Sequence, residues 1–523
     1  MSDTKSRLHP ISAIINFIKG LKDLIFPFVL IFVSNGLKIN LNPNNEEFWE
    51  DLVPLAIVAF LLILNLIGGI VKWRRFVYWF EEGELRVEYG LFVKKKRYIP
   101  FERIQSLNYK EGIFHRPFGL VKVSVETAGS NNGKAEAELT AITRKAADTI
   151  ELEMKRAKKE KRQGKQVAAQ YEVDQENVSE VVPVLNQYEQ LPEEEVVHKE
   201  IVHRMSIKDL LILATTSGGV GVVFSGVAAF ASQFGNIIPY DYLYDEFRAF
   251  VKIGILLVVL GIFLVLLIAW GLSLILTLFN YYDFIVEREN DKLIITRGLI
   301  EKKRITIPIN RIQGIKIVEN PLRQMFGYAT VVVESAGGST QDDERKIVLM
   351  PLVKKLHAMG PLQQLFPDIN WQPTLKNSPK RARPYYYRIE ILWSLLIVAL
   401  VSYFFFPFGL LSFFIVPLAI LNGIWQHKTA GYAVEGNQFT IVYRTFSKVT
   451  VFMEKKRIQQ MSLKQTYFRK RKGIASIGAT IISGSAGFAT TVAHFEKTDM
   501  DRLMEWYKPN VKSTHDEKQV NEL

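Results

Sequence analysis

The feature that most constrains this chain is the tripeptide Arg-Ile-Gln, which occurs three times with matching surroundings. A basic, strand-like run precedes each copy, and a glycine follows at the same distance, just before an alternating apolar segment and a turn of small residues. Copies that lie roughly 150–210 residues apart are too widely spaced for a solenoid, so one domain type is used three times. We expect each isoleucine to face a core and each Arg and Gln to pair across a sheet. The repeat-defining residues are Arg103, Ile104, Gln105 and Gly119; Arg311, Ile312, Gln313 and Gly327; and Arg457, Ile458, Gln459 and Gly473.

Composition indicates a membrane protein with charged domains. The 523 residues are enough for several domains, and the absence of cysteine excludes disulfides and cysteine-ligated metal. A formal charge of +13 shows that part of the surface attracts anions. Apolar residues make up 48% of the chain beside 23% charged residues, and the two classes are segregated along the sequence. This segregation favours anionic lipid over nucleic acid as the partner.

Hydropathy predicts three hairpins of two membrane-spanning helices each. The predicted spans are 24–37 and 52–71, 210–234 and 251–279, and 389–405 and 410–425. Before the first span, apolar residues at helical spacing are interrupted by charges, which is typical of an interfacial amphipathic helix. A cleaved signal peptide is the rival interpretation, but the apolar core contains charges and lacks a small-x-small cleavage site.

The charges that flank the predicted spans indicate their orientation. Glu46 and Glu47 lie between the first two spans, whereas Lys72, Arg74 and Arg75 follow the second. By the positive-inside rule, the hairpin loops face outward and both termini are cytoplasmic.

Each hairpin is followed by strand-like segments and a closing helical pattern. In the first repeat Leu85, Val87 and Tyr89 alternate as in a half-buried strand, and a helical pattern runs over 143–154. We predict a multi-span α-helical membrane protein with α+β domains, in which a transmembrane hairpin and a cytoplasmic sheet domain with a C-terminal helix are repeated three times. The predicted segments are 1–75 (interfacial helix and first hairpin), 76–155 (sheet domain 1), 156–205 (charged linker), 206–281 (second hairpin), 282–370 (sheet domain 2), 371–388 (basic linker), 389–427 (third hairpin), 428–510 (sheet domain 3) and 511–523 (polar tail).

The stretch IPFERIQSL…HRPFGLVKVSVETAG resembles the bacterial pleckstrin-homology-like (PH-like) membrane domain. Three such domains alternating with helix pairs resemble the YdbT-like membrane proteins of Gram-positive bacteria. The motif is degraded in the third copy, where Pro100 and Pro308 have no counterpart and Lys472 replaces the Phe before the glycine. The resemblance implies a bent antiparallel sheet capped by a helix, a bacterial plasma membrane location, a smaller YdbS-like membrane partner and a role in tolerating membrane-active peptides. It implies no catalytic residues.

Enzyme and metal motifs are weak in this sequence. The eight histidines are scattered without an HExxH pattern, so we expect neither a metal site nor another cofactor. The segment 129–134 looks like a phosphate-binding loop but is one residue short, and we interpret it as a hairpin turn. Polar residues within the spans, including Asn65, Thr215, Thr216 and Ser273, are interpreted as packing contacts.

Clusters of cations provide the best functional hypothesis. A basic run lies at the same place in each copy, and a second cluster follows each Arg-Ile-Gln after about twelve residues. Held near the inner leaflet, each such cation contributes about 1 kcal/mol toward binding anionic lipid. We therefore predict a non-enzymatic membrane scaffold; the alternative is a transport or export component with a path between the hairpins, followed by a lipid-modifying enzyme. Partners would be membrane lipid and a YdbS-like protein, with a homo-oligomer left open and no nucleic acid. The cations are Lys94, Lys95, Lys96 and Arg97, then Arg116; Lys302, Lys303 and Arg304, then Arg323; and Lys455 and Lys456, then Arg469 and Arg471.

Overall fold

Each Arg-Ile-Gln tripeptide lies at a corner between two antiparallel sheets in the computed structural model. The structure describes residues 5–34, 48–91, 93–127, 135–173, 199–217, 255–336, 347–404, 406, 408–483 and 487–508. The chain divides into two compact units, Met1–Ile309 and Asn310–Leu523.

In its described residues, the first unit has two sheets and five helices. One sheet has four strands in the order β1-β2-β3-β4, and the other has seven in the order β7-β6-β5-β11-β10-β9-β8. The strands are β1 Ser6–Arg7, β2 Val77–Glu81, β3 Glu84–Tyr89, β4 Lys95–Pro100, β5 Ile104–Glu111, β6 Leu120–Thr127, β7 Ala137–Thr143, β8 Lys199–Arg204, β9 Ile285–Glu289, β10 Lys292–Arg297 and β11 Lys302–Pro308. The helices are α1 Ile11–Ser34, α2 Phe48–Arg75, α3 Arg144–Val173, α4 Ile207–Thr216 and α5 Ile255–Tyr281.

The second unit repeats this plan. Its seven-stranded sheet has the order β14-β13-β12-β18-β17-β16-β15, and a three-stranded sheet has the order β19-β20-β21. The strands are β12 Ile312–Glu319, β13 Tyr328–Ser335, β14 Ile347–Lys354, β15 Lys376–Asn377, β16 Gly431–Glu435, β17 Gln438–Arg444, β18 Lys448–Glu454, β19 Ile458–Lys464, β20 Ile474–Ile481 and β21 Phe488–Glu496. The helices are α6 Pro321–Met325, α7 Lys355–Leu365, α8 Arg383–Phe404, α9 Ile415–Thr429, α10 Tyr467–Lys470 and α11 Lys497–Tyr507.

A short 3-10 turn and a bulge form each corner. The turns end at Arg103, Arg311 and Arg457, and the strand register shifts around the following glutamine in all three copies. The three isoleucines are buried, as predicted. Arg103 is exposed instead of paired across a sheet, and the Gln313 Nε2 donates to the carbonyl of Arg311, 3.0 Å away. The glutamine is the bulge residue, so it helps to turn the chain from one sheet to the next.

Sheets are shared between successive repeats. Strand β5 of the first repeat pairs with β11 of the second, and β12 of the second pairs with β18 of the third. We call these two pairings the seams. The sequence predicted separate sheet domains; the seams instead join the second half of one repeat to the first half of the next.

Closing helices complete the hydrophobic cores as predicted. Helix α3 buries Ala147, Ile150 and Met154 against residues from both sheets of the first repeat, including Leu85 and Ile104. In the third repeat, α11 buries Met500 and Leu503 among side chains of β16 to β21. Helices at these positions cover the sheet faces and exclude water from the core.

Four described helices are long and apolar enough to cross a membrane: Leu55–Arg75, Phe263–Tyr281, Lys380–Phe404 and Gly409–Thr429. Helix α1 is continuous through the predicted interfacial segment and most of the first predicted span. Residues 35–37 of that span and most of the predicted span 210–234 lie outside the described residues. So do the acidic loop residues Glu46 and Glu47, the turn 129–134, residues 174–198 of the linker 156–205 and the tail 511–523.

One short strand precedes each apolar helical segment and pairs with the strand that follows that segment. Strand β1 pairs with β2, β8 with β9, and β15 with β16. The sequence predicts no strand at these places: β1 falls in the segment 1–75, and β8 and β15 fall in the predicted linkers 156–205 and 371–388. Their pairing places the start and the end of each apolar segment side by side at one sheet edge.

Candidate membrane and partner interface

The predicted basic runs do not occupy equivalent positions. Lys94 and Lys302 both lie nine residues before the Arg of their tripeptide, a position that Lys448 fills in the third copy. Lys455 and Lys456 instead lie in the corner turn, immediately before the tripeptide. The expected equivalence is wrong because the third copy's corner replaces the Pro-Phe-Glu and Pro-Ile-Asn of the others with Glu-Lys-Lys.

Cations of the first run are partly neutralised. The Lys94 and Lys96 Nζ atoms lie 2.7 and 3.2 Å from carboxylate oxygens of Glu88, a buried residue of β3. The hydrogen bond from Lys94 holds the pKa of Glu88 below its usual value. Lys95 is exposed on β4, and Arg97 donates to the carbonyl of Glu136.

The second run lies within the first seam. Lys302 is opposite Glu111 of β5, and the guanidinium of Arg304 lies 5.8 Å from the ring of Tyr109. Lys303 forms an ion pair with Glu301 at 3.2 Å. These cations therefore contribute to contacts between repeats.

Cations of the third copy contact their own domain. The Lys455 Nζ lies 5.4 Å from the ring of Trp506, and the Lys456 Nζ lies 2.9 Å from Glu454. The side chain of Lys456 remains 70% exposed, so its charge is also available to an anion.

The second set of cations lies on three protruding turns that carry exposed apolar side chains. We call these turns tip 1 (112–119), tip 2 (320–327) and tip 3 (465–473). Met325 and Phe326 of tip 2 are 79% and 69% exposed. The exposed apolar residues are Ile113, Phe114 and Phe118 in tip 1; Leu322, Met325 and Phe326 in tip 2; and Tyr467 and Phe468 in tip 3. They accompany Arg116, Arg323, Arg469 and Arg471, respectively.

A left-handed glycine ends each tip, which explains why glycine recurs there. Gly119, Gly327 and Gly473 have φ values of 61°, 70° and 64°. This conformation costs other L-residues roughly 1–2 kcal/mol. Each glycine carbonyl also accepts a hydrogen bond from the backbone at the start of the closing helix: Arg144 at 3.3 Å, Lys355 at 2.9 Å and Lys497 at 2.9 Å.

Tips 1 and 3 lie beside the first turns of long helices. The rings of Phe118 and His9 are 5.9 Å apart, and His9 lies just before α1. The Tyr385 Oη, in the first turn of α8, donates to the carbonyl of Phe468 at 3.1 Å. The two tips therefore lie where apolar helices leave the sheet domains.

Tip 2 is connected to the end of α9. The Gln324 Oε1 accepts a hydrogen bond of 2.6 Å from Arg444. Arg444 also donates to Thr429 Oγ1 at 3.2 Å and lies 3.8 Å from the ring of Trp425, both on α9. Burial and the loss of water lower the pKa of Arg444.

The polar residues within the predicted spans are bonded to helix backbone or buried. The Asn65 Nδ2 of α2 donates to the carbonyl of Phe17 on α1 at 3.0 Å, where Gly20 and Gly69 allow close approach of the two helices. Thr215 and Thr216 donate to carbonyls of their own helix, and Ser273 is buried. Among the described residues, no group of three or more His, Cys, Asp or Glu could hold a metal ion.

Sequence reasoning missed the apolar residues of the tips and one polar cluster. Clusters of apolar residues between each Arg-Ile-Gln and its glycine were the available signal for the tips. In the polar cluster, Glu390 of α8 accepts hydrogen bonds from Asn422 at 3.2 Å and Gln426 at 2.6 Å on α9. The spacing of Asn422 and Gln426, four residues apart on one helix face, could have indicated it.

Comparison with known proteins agrees with this architecture. The family model described as "Bacterial PH domain" matches residues 28–158, 248–359 and 392–511, which is more than half of the chain. The fold and sequence thus define a membrane protein with repeated bacterial PH domains. The chain is 33% identical over 513 residues to the UPF0699 transmembrane protein YdbT of Bacillus subtilis (strain 168), covering 97% of this chain and 98% of that protein. The chain therefore belongs to the YdbT (UPF0699) family of transmembrane proteins. No solved structure matched it.

Proposed function

We propose that this protein is a non-enzymatic scaffold of the bacterial plasma membrane whose PH-like domains dock on the inner leaflet. The observation that supports this most directly is the set of three tips, each of which combines exposed apolar side chains with cations. Apolar residues enter the boundary between headgroups and acyl chains, and adjacent cations bind anionic headgroups. Insertion of a side chain such as Met325 or Phe326 is favourable by about 1.5–3 kcal/mol when burial is complete.

The positions of the tips support docking on the side from which the helices enter the membrane. Tip 1 contacts the start of α1, tip 3 contacts the start of α8, and tip 2 is connected to the end of α9. Lys72, Arg74 and Arg75 in the last turn of α2 favour a cytoplasmic position for this side. In this arrangement both termini and the PH-like domains are cytoplasmic.

The paired strands around each apolar segment support the hairpin arrangement. Because β8 and β9 are neighbours, as are β15 and β16, each intervening segment returns to the sheet edge from which it departed. A segment that leaves and returns on one side crosses the membrane an even number of times. Two crossings in each segment would give six spans.

The biological role that we propose is envelope defence, specifically tolerance of membrane-active peptides, with a YdbS-like membrane partner. Both expectations follow from the family resemblance. Shared sheets support a scaffold, since the seams make the PH-like domains structurally dependent on one another instead of independent binding modules.

A transport or export function is the second candidate, and one observation favours it. Glu390 lies within a candidate span and contacts Asn422 and Gln426 of the adjacent helix. Ionisable residues within membrane spans often mark a transport path. Glu390→Gln should abolish peptide tolerance if the protein is a transporter and leave it intact if it is a scaffold.

Tip insertion can be tested in the full chain, which contains no cysteine. The full chain is needed because residues 282–370 share both of their sheets with neighbouring repeats. A Phe468→Cys variant labelled with an environment-sensitive fluorophore would be placed in anionic and in neutral nanodiscs. We expect a blue-shifted emission that doxyl-labelled lipid quenches, more strongly in the anionic nanodiscs.

Asn437→Cys provides the matched control. It is exposed in the turn at the far end of β16, a strand of five residues that starts next to the end of α9 and spans roughly 17 Å. Arg471→Glu in the Phe468→Cys background should reduce quenching in anionic nanodiscs only. Equal quenching at Phe468 and Asn437 would rule out docking through tip 3.

In cells, a deletion strain carrying variants of the gene would be challenged with membrane-active peptides. Charge reversal at Arg116, Arg323 and Arg471 together should abolish tolerance if docking supports the function. Unchanged tolerance, with wild-type protein levels, would count against the proposed scaffold.

A further inference from the structure

Two seams within this chain have the same construction. Glu111 and Glu319 lie eight residues after the Arg of their tripeptide and are opposite Lys302 and Lys448, respectively. Those two lysines both lie nine residues before the Arg of the next tripeptide. Both seams therefore pair a strand of the β5 type with a strand of the β11 type in the same antiparallel register.

One strand of each type remains with an open edge. Among the described residues, β4 pairs only with β3, and β19 pairs only with β20. Strand β4 is the first repeat's counterpart of β11, and β19 is the third repeat's counterpart of β5. On β4 the side chains of Lys95, Lys96 and Tyr98 are exposed.

An acid crosses each existing seam. Glu319 lies 3.5 Å from Lys448 in the second seam, and Glu301 lies 2.8 Å from Lys110 in the first. Opposite charges on facing strands stabilise a sheet, and like charges directly opposite each other destabilise it.

At the described edges of β4 and β19, no acid stands at the position that Glu301 or Glu319 takes in the seams. In the register of the seams, Lys95 of β4 would face Lys464 of β19, and Lys94, just before β4, would face Gln465, just after β19. Val93 stands where the first seam has Glu301. Pairing of β4 with β19 of a second copy would therefore place Lys95 against Lys464 with no acid in the place of Glu301, while Glu88 of β3 contacts Lys94 and Lys96.

We propose that the edge of β4 binds an antiparallel strand from a PH-like domain of another polypeptide, and that this strand ends in acidic residues. The partner strand takes the place that β5 and β12 take in the seams, with its acids opposite Lys94 and Lys95. The inference rests on sheet topology and charge, and it is independent of lipid docking by the tips.

The test uses a second copy of the full chain as an acid-ended probe. One chain carries Lys96→Cys, and the other carries Leu463→Cys, the position directly opposite in the seam register. The second chain is made in two forms. One keeps the native β19 sequence, and the other also carries Lys464→Glu and Gln465→Glu. After co-expression with different tags and mild oxidation, the mixed disulfide is quantified.

The acid-ended chain should give about tenfold more mixed disulfide than the unmodified β19, since two cross-strand charge pairs change from neutral or repulsive to attractive. Lys95→Glu in the first chain should reverse this preference. Asn437→Cys in place of Leu463→Cys is the off-edge control. Thermal unfolding of each purified variant confirms that it is folded.

Three results would overturn the proposal. Equal cross-linking of both forms would show that the edge does not select acids and that a second copy is a sufficient partner. Absence of cross-linking from all folded variants would show that the β4 edge is closed. A preference that Lys95→Glu does not alter would show that charge does not determine the pairing.

Discussion

Replacing Gly119 with alanine tests whether a left-handed backbone is what tip 1 requires. Its φ is 61°, and a Cβ added there would have no atom within 4 Å, so the substitution introduces strain without a steric clash. The left-handed conformation costs an L-residue roughly 1–2 kcal/mol. The unit Met1–Ile309 has an unfolding entropy of roughly 0.65 kcal/mol/K at about 2.1 cal/mol/K per residue, so that loss lowers the Tm by roughly 1.5–3 °C. Asparagine, which adopts this conformation more readily than alanine, should restore part of the loss.

Gly68→Ala is the matched control. Gly68 lies within α2 of the same unit, has helical backbone and also has no atom within 4 Å of an added Cβ. Alanine is the better helix former, so this variant should keep or raise the Tm. Thermal unfolding of the full chain in one detergent would be compared for Gly119→Ala, Gly119→Asn and Gly68→Ala. If Gly119→Ala melts no lower than Gly68→Ala, the explanation of the recurring glycine is wrong.

Three further predictions concern the seams and buried polar groups. Asn108→Ala should lower the free energy of unfolding by about 1–3 kcal/mol in denaturant titration, because the Asn108 Oδ1 accepts a 3.0 Å hydrogen bond from the Thr306 backbone across the first seam. Burial, the main cause, lowers the pKa of His494 to about 4. The contribution of neutral His494 to the free energy of unfolding should therefore be fully present above pH 6.5 and be lost as the pH falls toward 4. His494→Asn should flatten this pH dependence of the Tm in thermal melts. Glu334→Gln should cost about 3–5 kcal/mol in denaturant titration, since it leaves the buried Lys316 ammonium without its carboxylate partner, and Lys316→Met added to it should recover most of that loss.

The buried isoleucine, the recurring glycine and the closing helix could be predicted from the sequence, because each depends on residues that are close together in the chain. Ile104 follows a turn and begins an alternating strand, so its burial follows from periodicity. Gly119 recurs at one distance from the tripeptide, which is typical of a backbone position that only glycine adopts without strain. The closing helix α3 follows from apolar residues at helical spacing.

The seams could not be predicted in this way. Strands β4 and β11 read KKRYIP and KKRITIP, almost the same sequence, yet within the described part of the chain β11 is paired on both sides and β4 on one. Pairing depends on which strand edge each corner leaves available to the next repeat. The paired residues are far apart in the sequence: Glu111 and Lys302 are 191 positions apart in the first seam, and Glu319 and Lys448 are 129 apart in the second. Backbone hydrogen bonds carry much of the pairing energy, and they have no side-chain signature.

The apolar residues of the tips were missed for a related reason. An apolar cluster between two strands is normally interpreted as part of the core, as with Leu120 immediately after tip 1. Only the three-dimensional structure shows that Phe118, two positions earlier, is exposed. The left-handed Gly119 between them changes the direction of the chain and so separates the exposed residue from the buried one.

Tip 1 is bonded to the segment that leads into β11 of the first seam, and this connection affects how a scaffold of this kind would bind a membrane. Arg116 of tip 1 donates to the carbonyl of Leu299, whose own backbone amide donates to Phe279 at the end of α5 at 2.9 Å. Tip 1 is therefore held beside the end of α5, a candidate membrane span of the next repeat. Each tip alone has few apolar residues and would bind weakly. Because all three tips belong to one anchored chain, docking of one raises the effective concentration of the others, so loss of a single tip should weaken membrane docking without abolishing it.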